Sequence, residues 1–167
     1  DVIAGQGTIG LEILDQLPDV DAIVVPVGGG GLISGVAYAV KKLKPNVKIY
    51  GVQAKEAASM ADSLKYDEQV TLNTVNTFAD GIAVKHPGDL TFELIKDFVD
   101  GVVTVSEDEI AVAILALIEK QKLIAEGAGA VSLAAVMADK IPVEGKNVVC
   151  LVSGGNIDVN ILSRVIT

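Results

Sequence analysis

The chain has 167 residues, half of them hydrophobic, with a mean hydropathy of +0.50 and 22 acidic against 13 basic side chains, a net charge of −9. That acidity, with no basic cluster to override it, opposes nonspecific binding to nucleic acid or anionic membrane, and the apolar runs are broken by charge or glycine well before the roughly 18 residues a membrane span needs. What remains is enough apolar material for one substantial core, a small molecule as the expected partner and the cytoplasm as the expected compartment; the single cysteine, Cys150, excludes an internal disulfide.

The sequence opens at Asp1-Val2-Ile3-Ala4-Gly5-Gln6-Gly7-Thr8 without a methionine or a signal-peptide pattern, and it reads as a fragment of a longer protein. Thr8 as N-cap, followed by Ile9, Ile13, Leu14 and Leu17, predicts a short amphipathic helix that stops at Pro18. Ala22 to Val27 is a continuous, β-branched apolar run, as expected of a buried parallel strand. After four glycines, Leu32 to Lys44 has helical spacing, with Lys41, Lys42 and Lys44 complementing the negative end of the helix dipole. Val47 to Gln53 is the next strand and completes a β-loop-α-β unit, for which a right-handed crossover is expected.

Ala54 to Asp62 reads as a helix, and the polar stretch from Ser63 to Lys85 as a surface wrap without regular elements that returns to the site edge at Asp80-Gly81. A helix is expected over Leu90 to Phe98 and a strand over Gly101 to Val105. Ser106 and Glu109 form the sequence signature of a capping box heading a helix from Ile110 to Lys122. The small residues Ala125-Glu126-Gly127-Ala128-Gly129-Ala130 open another helix that reaches about Lys140. Val148 to Val152 is a strand in which Cys150 reads as a buried, inert thiol; Ser153-Gly154-Gly155-Asn156 turns out of it, and Ile157 to Val165 is a closing helix. This alternation predicts an α/β domain of three layers, a mostly parallel sheet with helices on both faces.

Chemistry is concentrated in Gly28, Gly29, Gly30, Gly31 and Leu32. Four adjacent residues without Cβ let the backbone turn its N–H groups onto one small anion, and the helix that follows adds the positive end of its dipole. The same glycines could instead serve only tight helix–sheet packing. Both glycine clusters, Gly28 to Gly31 and Ser153 to Asn156, directly follow strands, so they can face one pocket at the carboxyl ends of the sheet. A nucleoside-triphosphate loop needs Lys and Ser/Thr after the glycines, where this chain has Leu32-Ile33. A dinucleotide site needs G-x-G-x-x-G and an acidic residue at the end of the next strand; here the third glycine is replaced by Ser34 and the strand ends in Gln53. A cofactor with a single phosphate fits best. A nicotinamide-dinucleotide domain and a noncatalytic phosphate-binding module stay open as alternatives.

Four segments together, Ile3-Ala4-Gly5-Gln6-Gly7-Thr8, Val27 to Leu32, Ala79-Asp80-Gly81 and Ser153-Gly154-Gly155-Asn156, resemble the fold-type II pyridoxal-phosphate enzymes, and most closely the catabolic threonine dehydratases and serine racemases. The resemblance implies pyridoxal 5′-phosphate as cofactor. Gly28, Gly29, Gly30 and Gly31, with Leu32, correspond to the loop that binds its phosphate, Ser153 to the residue that hydrogen-bonds the pyridine nitrogen, and Gly81 to a turn beside the cofactor. Glu126 matches an acidic residue near the cofactor; read from the residues alone, it is equally a carboxylate favoured by a helix N-terminus. The implied activity is that of an ammonia-lyase acting on threonine or serine, converting L-threonine to 2-oxobutanoate and ammonia, in an enzyme that is a homo-oligomer when intact.

Two departures from the family pattern shape the expectation. Serine racemases and some relatives carry a divalent-cation site beginning with Glu at the end of the second strand, where this chain has Gln53, with Ser59 at the second acidic position; no metal site is expected. The Schiff-base lysine of the family sits in a Ser-Phe-Lys-x-Arg-like segment, whereas the single arginine here, Arg164, lies in Leu162-Ser163-Arg164-Val165. The chain is therefore expected to be the C-terminal part of the large domain, to contribute no catalytic residue of its own, and to be inactive without an N-terminal half that carries the lysine and the small domain. His86, alone on a polar loop, reads as a surface histidine.

Overall fold

All five residues of strand β1 (Ala22–Pro26) are buried, as its unbroken apolar run requires of a strand covered on both faces. In a computed structural model that describes residues 1–166, β1 pairs in parallel with β2 (Lys48–Ala54) on one side and with β4 (Val148–Cys150) on the other. β2 pairs in parallel with β3 (Gly101–Val105), giving a four-stranded sheet of order β3-β2-β1-β4.

Successive residues of a strand face opposite sides, and the core divides accordingly. Val24 and Val52 belong to a cluster with Ile110, Ile114 and Val131, from helices α5 (Glu107–Ala116) and α6 (Gly127–Met137). Ile23, Val25 and Ile49 belong to another with Ile33, Val36 and Ile95, from α2 (Gly31–Leu43) and α4 (Asp89–Phe98). The three-layer α/β architecture expected from the alternation is the one observed.

Several element boundaries differ from the expectation, each for a tertiary reason. Helix α1 spans Val2–Gln16, so Thr8 is an interior residue and not the N-cap; its Oγ1 donates to the Gly5 carbonyl at 2.8 Å. Gly7 and Gly10 are tolerated inside this helix because it lies backbone-close to α2: a Cβ on Gly7 would sit 3.3 Å from the Gly35 carbonyl oxygen, and a Cβ on Gly35 would overlap the Ile3 carbonyl. Ala54 is fully buried and stays in β2 paired with Val105, so the expected helix over Ala54 to Asp62 becomes a 3₁₀ turn (Lys55–Ala57) followed by α3 (Ser59–Tyr66).

Beyond Ala116 the expected continuous helix widens into a π-helical segment, Leu117–Gln121, which ends at Lys122 with φ +57°. Helix α6 stops at Met137 rather than near Lys140, with Asp139 at φ +52° turning the chain. β4 ends at Cys150, with one further ladder bond from the Leu151 N–H to the Val24 carbonyl at 3.0 Å. The final helix α7 spans Val159–Ile166, because the Asp158 carboxylate accepts from the Asn160 N–H at 2.7 Å and fixes the start there.

Candidate cofactor site

From β1 the sheet extends through β2 and β3 in one direction and to β4 in the other, so the carboxyl ends of β1 and β4 flank a topological switch point, where open α/β sheets form their ligand crevice. A cavity of about 230 Å³ lies there. Its walls include Gly28, Gly29, Gly30, Gly31 and Leu32 after β1, Ser153 after β4, and Gly81 and Glu126. All eight residues singled out from the sequence thus meet around one space, although they come from four separated segments. Pro26, Ile82 and Ala128 complete the wall.

The glycine run is built as an open cup on a tight base. A Cβ on Gly28 would press on the 81–84 turn, 3.2 Å from Val84 Cγ2 and 3.3 Å from Ile82 Cα. That turn is held in place by Ser59, whose Oγ donates to the Val84 carbonyl at 2.9 Å. At Gly29 a Cβ would meet nothing within 4 Å, and at Gly31 only Val2 Cγ1 at 3.9 Å. Side chains at these two wall positions would project into free space, so packing does not explain their absence. Gly30 is the N-cap of α2, with φ +95°, and α2 has neither a side-chain cap nor an acidic residue in its first turn. The first N–H groups of this 13-residue helix therefore have no carboxylate from its own first turn to neutralise them.

Among the described residues, Glu126 is the one ionisable side chain on the cavity wall. It is the N-cap of α6, without a side-chain capping bond, and its backbone N–H donates to the Gly154 carbonyl at 3.1 Å. Its side chain is wedged between two glycines: Oε1 lies 3.6 Å from the place of a Gly81 Cβ, and a Cβ on Gly154 would overlap it. Glu126 thus combines a helix-start position with a place on the wall. Ser153 is exposed at the cavity rim. With no cation on the wall among the described residues, an anion here would be held by backbone dipoles. The residues present fit a phosphorylated cofactor.

Gln53 is fully buried, and its Oε1 accepts from the Ala61 N–H at the start of α3 at 2.8 Å. The position that would grip a ribose in a dinucleotide site is therefore occupied by an amide tied to protein. No group of three or more His, Cys, Asp or Glu side chains is placed to hold a metal among the described residues. His86 is exposed, with Nδ1 2.8 Å from Thr71 Oγ1. Cys150 is half-buried rather than buried, since β4 is the sheet edge; burial nevertheless pushes its thiol up to about 11. No described helix is long and apolar enough to cross a membrane.

One residue close to the cup escaped the sequence reading. Thr91 of α4 donates from Oγ1 to the Gly29 carbonyl at 2.5 Å. The available signal was a hydroxyl beside Phe92 and Ile95 on the buried face of an otherwise apolar stripe.

Residues 1–154 match the family model described as pyridoxal-phosphate dependent enzyme. The L-threonine ammonia-lyase of Thermotoga maritima is 59% identical over 165 residues, which are 99% of this chain and 41% of that protein. Among solved structures, the processed form of threonine deaminase isoform 2 from Solanum lycopersicum superposes with a TM-score of 0.91 at 44% identity, over 98% of this chain and 46% of that one. Maize serine racemase gives a TM-score of 0.91 at 39% identity, over 98% and 51%. The chain thus spans about half the length of the relatives it matches. On the family match and the shared fold, the chain belongs to the pyridoxal-phosphate dependent enzymes of fold type II.

Proposed function

We propose that the cavity between the ends of β1 and β4 receives pyridoxal phosphate, and that the chain is the cofactor-phosphate half of an ammonia-lyase acting on L-threonine, with serine as a second substrate. The observation that carries this is the meeting of Gly28 to Gly31, Gly81, Glu126 and Ser153 around one cup in which Gly29 and Gly31 leave open the space side chains would fill. The relatives named as threonine ammonia-lyase and threonine deaminase supply the substrate class.

In this reading the backbone N–H groups of Gly28 to Gly31 and the start of α2 bind the phosphate, Leu32 lines the cup, and Gly81 and Glu126 border the ring. Ser153 offers the pyridine nitrogen a neutral hydroxyl, which does not hold a proton there as a carboxylate would. The cofactor, when bound, supplies an electron-withdrawing ring that stabilises negative charge at the amino acid α-carbon. No lysine stands on the cavity wall among the described residues, so the amine that carries the cofactor and moves the α-proton belongs to the remaining length of the enzyme, together with the carboxylate grip and small domain. The intact enzyme is read as a cytoplasmic homo-oligomer without nucleic-acid or membrane partners.

The test is to titrate the purified chain with pyridoxal phosphate and assay 2-oxobutanoate release from L-threonine, alone and after adding the N-terminal half from a relative. The expected result is cofactor binding without turnover by the chain alone, and turnover on reconstitution. Turnover by the chain alone would overturn the placement of the lysine elsewhere. Cofactor binding without restored turnover would favour a noncatalytic module, and tight NADH binding in place of pyridoxal phosphate would favour the dinucleotide reading.

A further inference from the structure

We infer that Thr91 is a positioning residue for phosphate binding, acting through the Gly29–Gly30 peptide and not by touching the ligand. The Gly29 carbonyl is turned toward α4, where it accepts from Thr91 Oγ1 at 2.5 Å and from the Gly88 N–H at 3.3 Å. The chain contains no cis peptide among the described residues, and in a trans peptide the C=O and the following N–H point in opposite directions. Anchoring the Gly29 carbonyl on α4 therefore aims the Gly30 N–H away from α4, toward the cup that Gly29 and Gly30 line.

The alternative orientation of this peptide would put a carbonyl oxygen where an anion is to bind. Flipping a peptide between two glycines has little steric cost, so the orientation needs an outside restraint. Thr91 supplies it from a site that is itself nearly buried, with Oγ1 also 3.0 Å from the Gly88 carbonyl. The same side chain closes the space behind Gly30, where a Cβ would lie 2.8 Å from Thr91 Cβ. Thr91 thus fixes both the direction of one phosphate-binding N–H and the turn that leads into α2.

This inference rests on the reading of the cavity as a phosphate cup, and the test separates the two. Thr91→Val keeps the shape and removes the donor; Thr91→Ser keeps the donor. Affinity for pyridoxal phosphate and for unphosphorylated pyridoxal is measured on the unsubstituted chain and both variants. The expected result is a fivefold to tenfold loss for pyridoxal phosphate in Thr91→Val, the worth of about one hydrogen bond, with no change for pyridoxal and with recovery in Thr91→Ser. An equal loss for both compounds, or none for either, in a folded Thr91→Val would overturn the role of Thr91 while leaving the cup intact. Failure of the unsubstituted chain to prefer pyridoxal phosphate over pyridoxal would overturn the cup, and this inference with it. A measurement without any substitution guards against an unfolded variant: inorganic phosphate is expected to move the Gly30 amide proton resonance downfield, and an unmoved Gly30 signal alongside shifted neighbours would overturn the orientation.

Discussion

Gly30 has two independent reasons to lack a side chain: a φ of +95°, and Thr91 packed where a Cβ would go. Either alone is costly, and neither involves a ligand. Gly30→Ala is expected to destabilise the chain by about 2–4 kcal/mol, read as a lower urea midpoint with an unchanged m-value. Gly29 offers the contrast within the same run, since its Cβ would meet no protein atom. Asp100 shows the other residue-scale effect, an ionic junction. Burial alone would raise its carboxyl, but hydrogen bonds from Lys41, the Ile49 N–H and Lys48 outweigh it and hold it below the usual carboxylate range. A carboxyl lowered in the folded state contributes stability that is complete above its ordinary value of 3.8 and is lost as pH falls through the lower folded value. Asp100→Asn is therefore expected to cost about 1–2 kcal/mol near neutral pH, reduced from an enclosed pair's worth because the junction is partly solvated. Denaturation midpoints of the two proteins should converge in acid; an equal gap at about pH 6 and about pH 3 would refute the electrostatic origin.

At the scale of elements, the start of α5 is the most completely specified. The Ser106 side chain accepts from the Glu109 N–H at 3.2 Å, and the Glu109 carboxylate accepts from the Ser106 N–H at 2.7 Å, so two N–H groups of the helix start are paired reciprocally. The bond from the Ser106 N–H, aided by Lys140, holds the Glu109 carboxyl below the usual range. Ser106→Ala should destabilise by about 1 kcal/mol and Ser106→Asp much less; equal thermal midpoints for Ala and Asp would show that the box is not a stabilising cap. This boundary was legible in the sequence because a capping box is local chemistry. The start of α1 was not: Gly5, Gly7 and Gly10 argue against a helix by propensity, and the close approach of α2, Gly35 against Gly7 and Val36 against Gly10, is visible only in the packed structure. The end of β2 was also hidden, since Ala54 stays extended through its partner Val105, some fifty positions away along the chain.

For the whole molecule, the sheet and the cup were legible for one shared reason. Glycine clusters that closely follow parallel strands must lie at the carboxyl end of the sheet, and the order β3-β2-β1-β4 makes β1 and β4, the strands before the two clusters, neighbours. Thr91 was not legible, because a hydroxyl on α4 gains its meaning only when α4 docks behind the Gly29 carbonyl. The same topology leaves local stability uneven. β1 is central and buried throughout, whereas β4 is a three-residue edge strand, half-buried along its length. Amide exchange is expected to be slowest in β1 and to reach β4 through opening that leaves the centre intact; equal protection of the two strands would show a single cooperative unit.

The cavity between β1 and β4 then has a mechanical consequence. Its walls take in the loop that follows the buried central strand on one side and Ser153, which follows the edge strand, on the other, so an occupant that touches both is a clasp between the two. Opening of β4 that carries Ser153 away would remove one wall of the cup, and a ligand in contact with Ser153 opposes it. At a hundredfold excess over its dissociation constant, a ligand would oppose that opening by about 2.7 kcal/mol. The edge strand would thereby hold to the sheet most firmly when the cup is full, coupling possession of the cofactor to the wholeness of the fold.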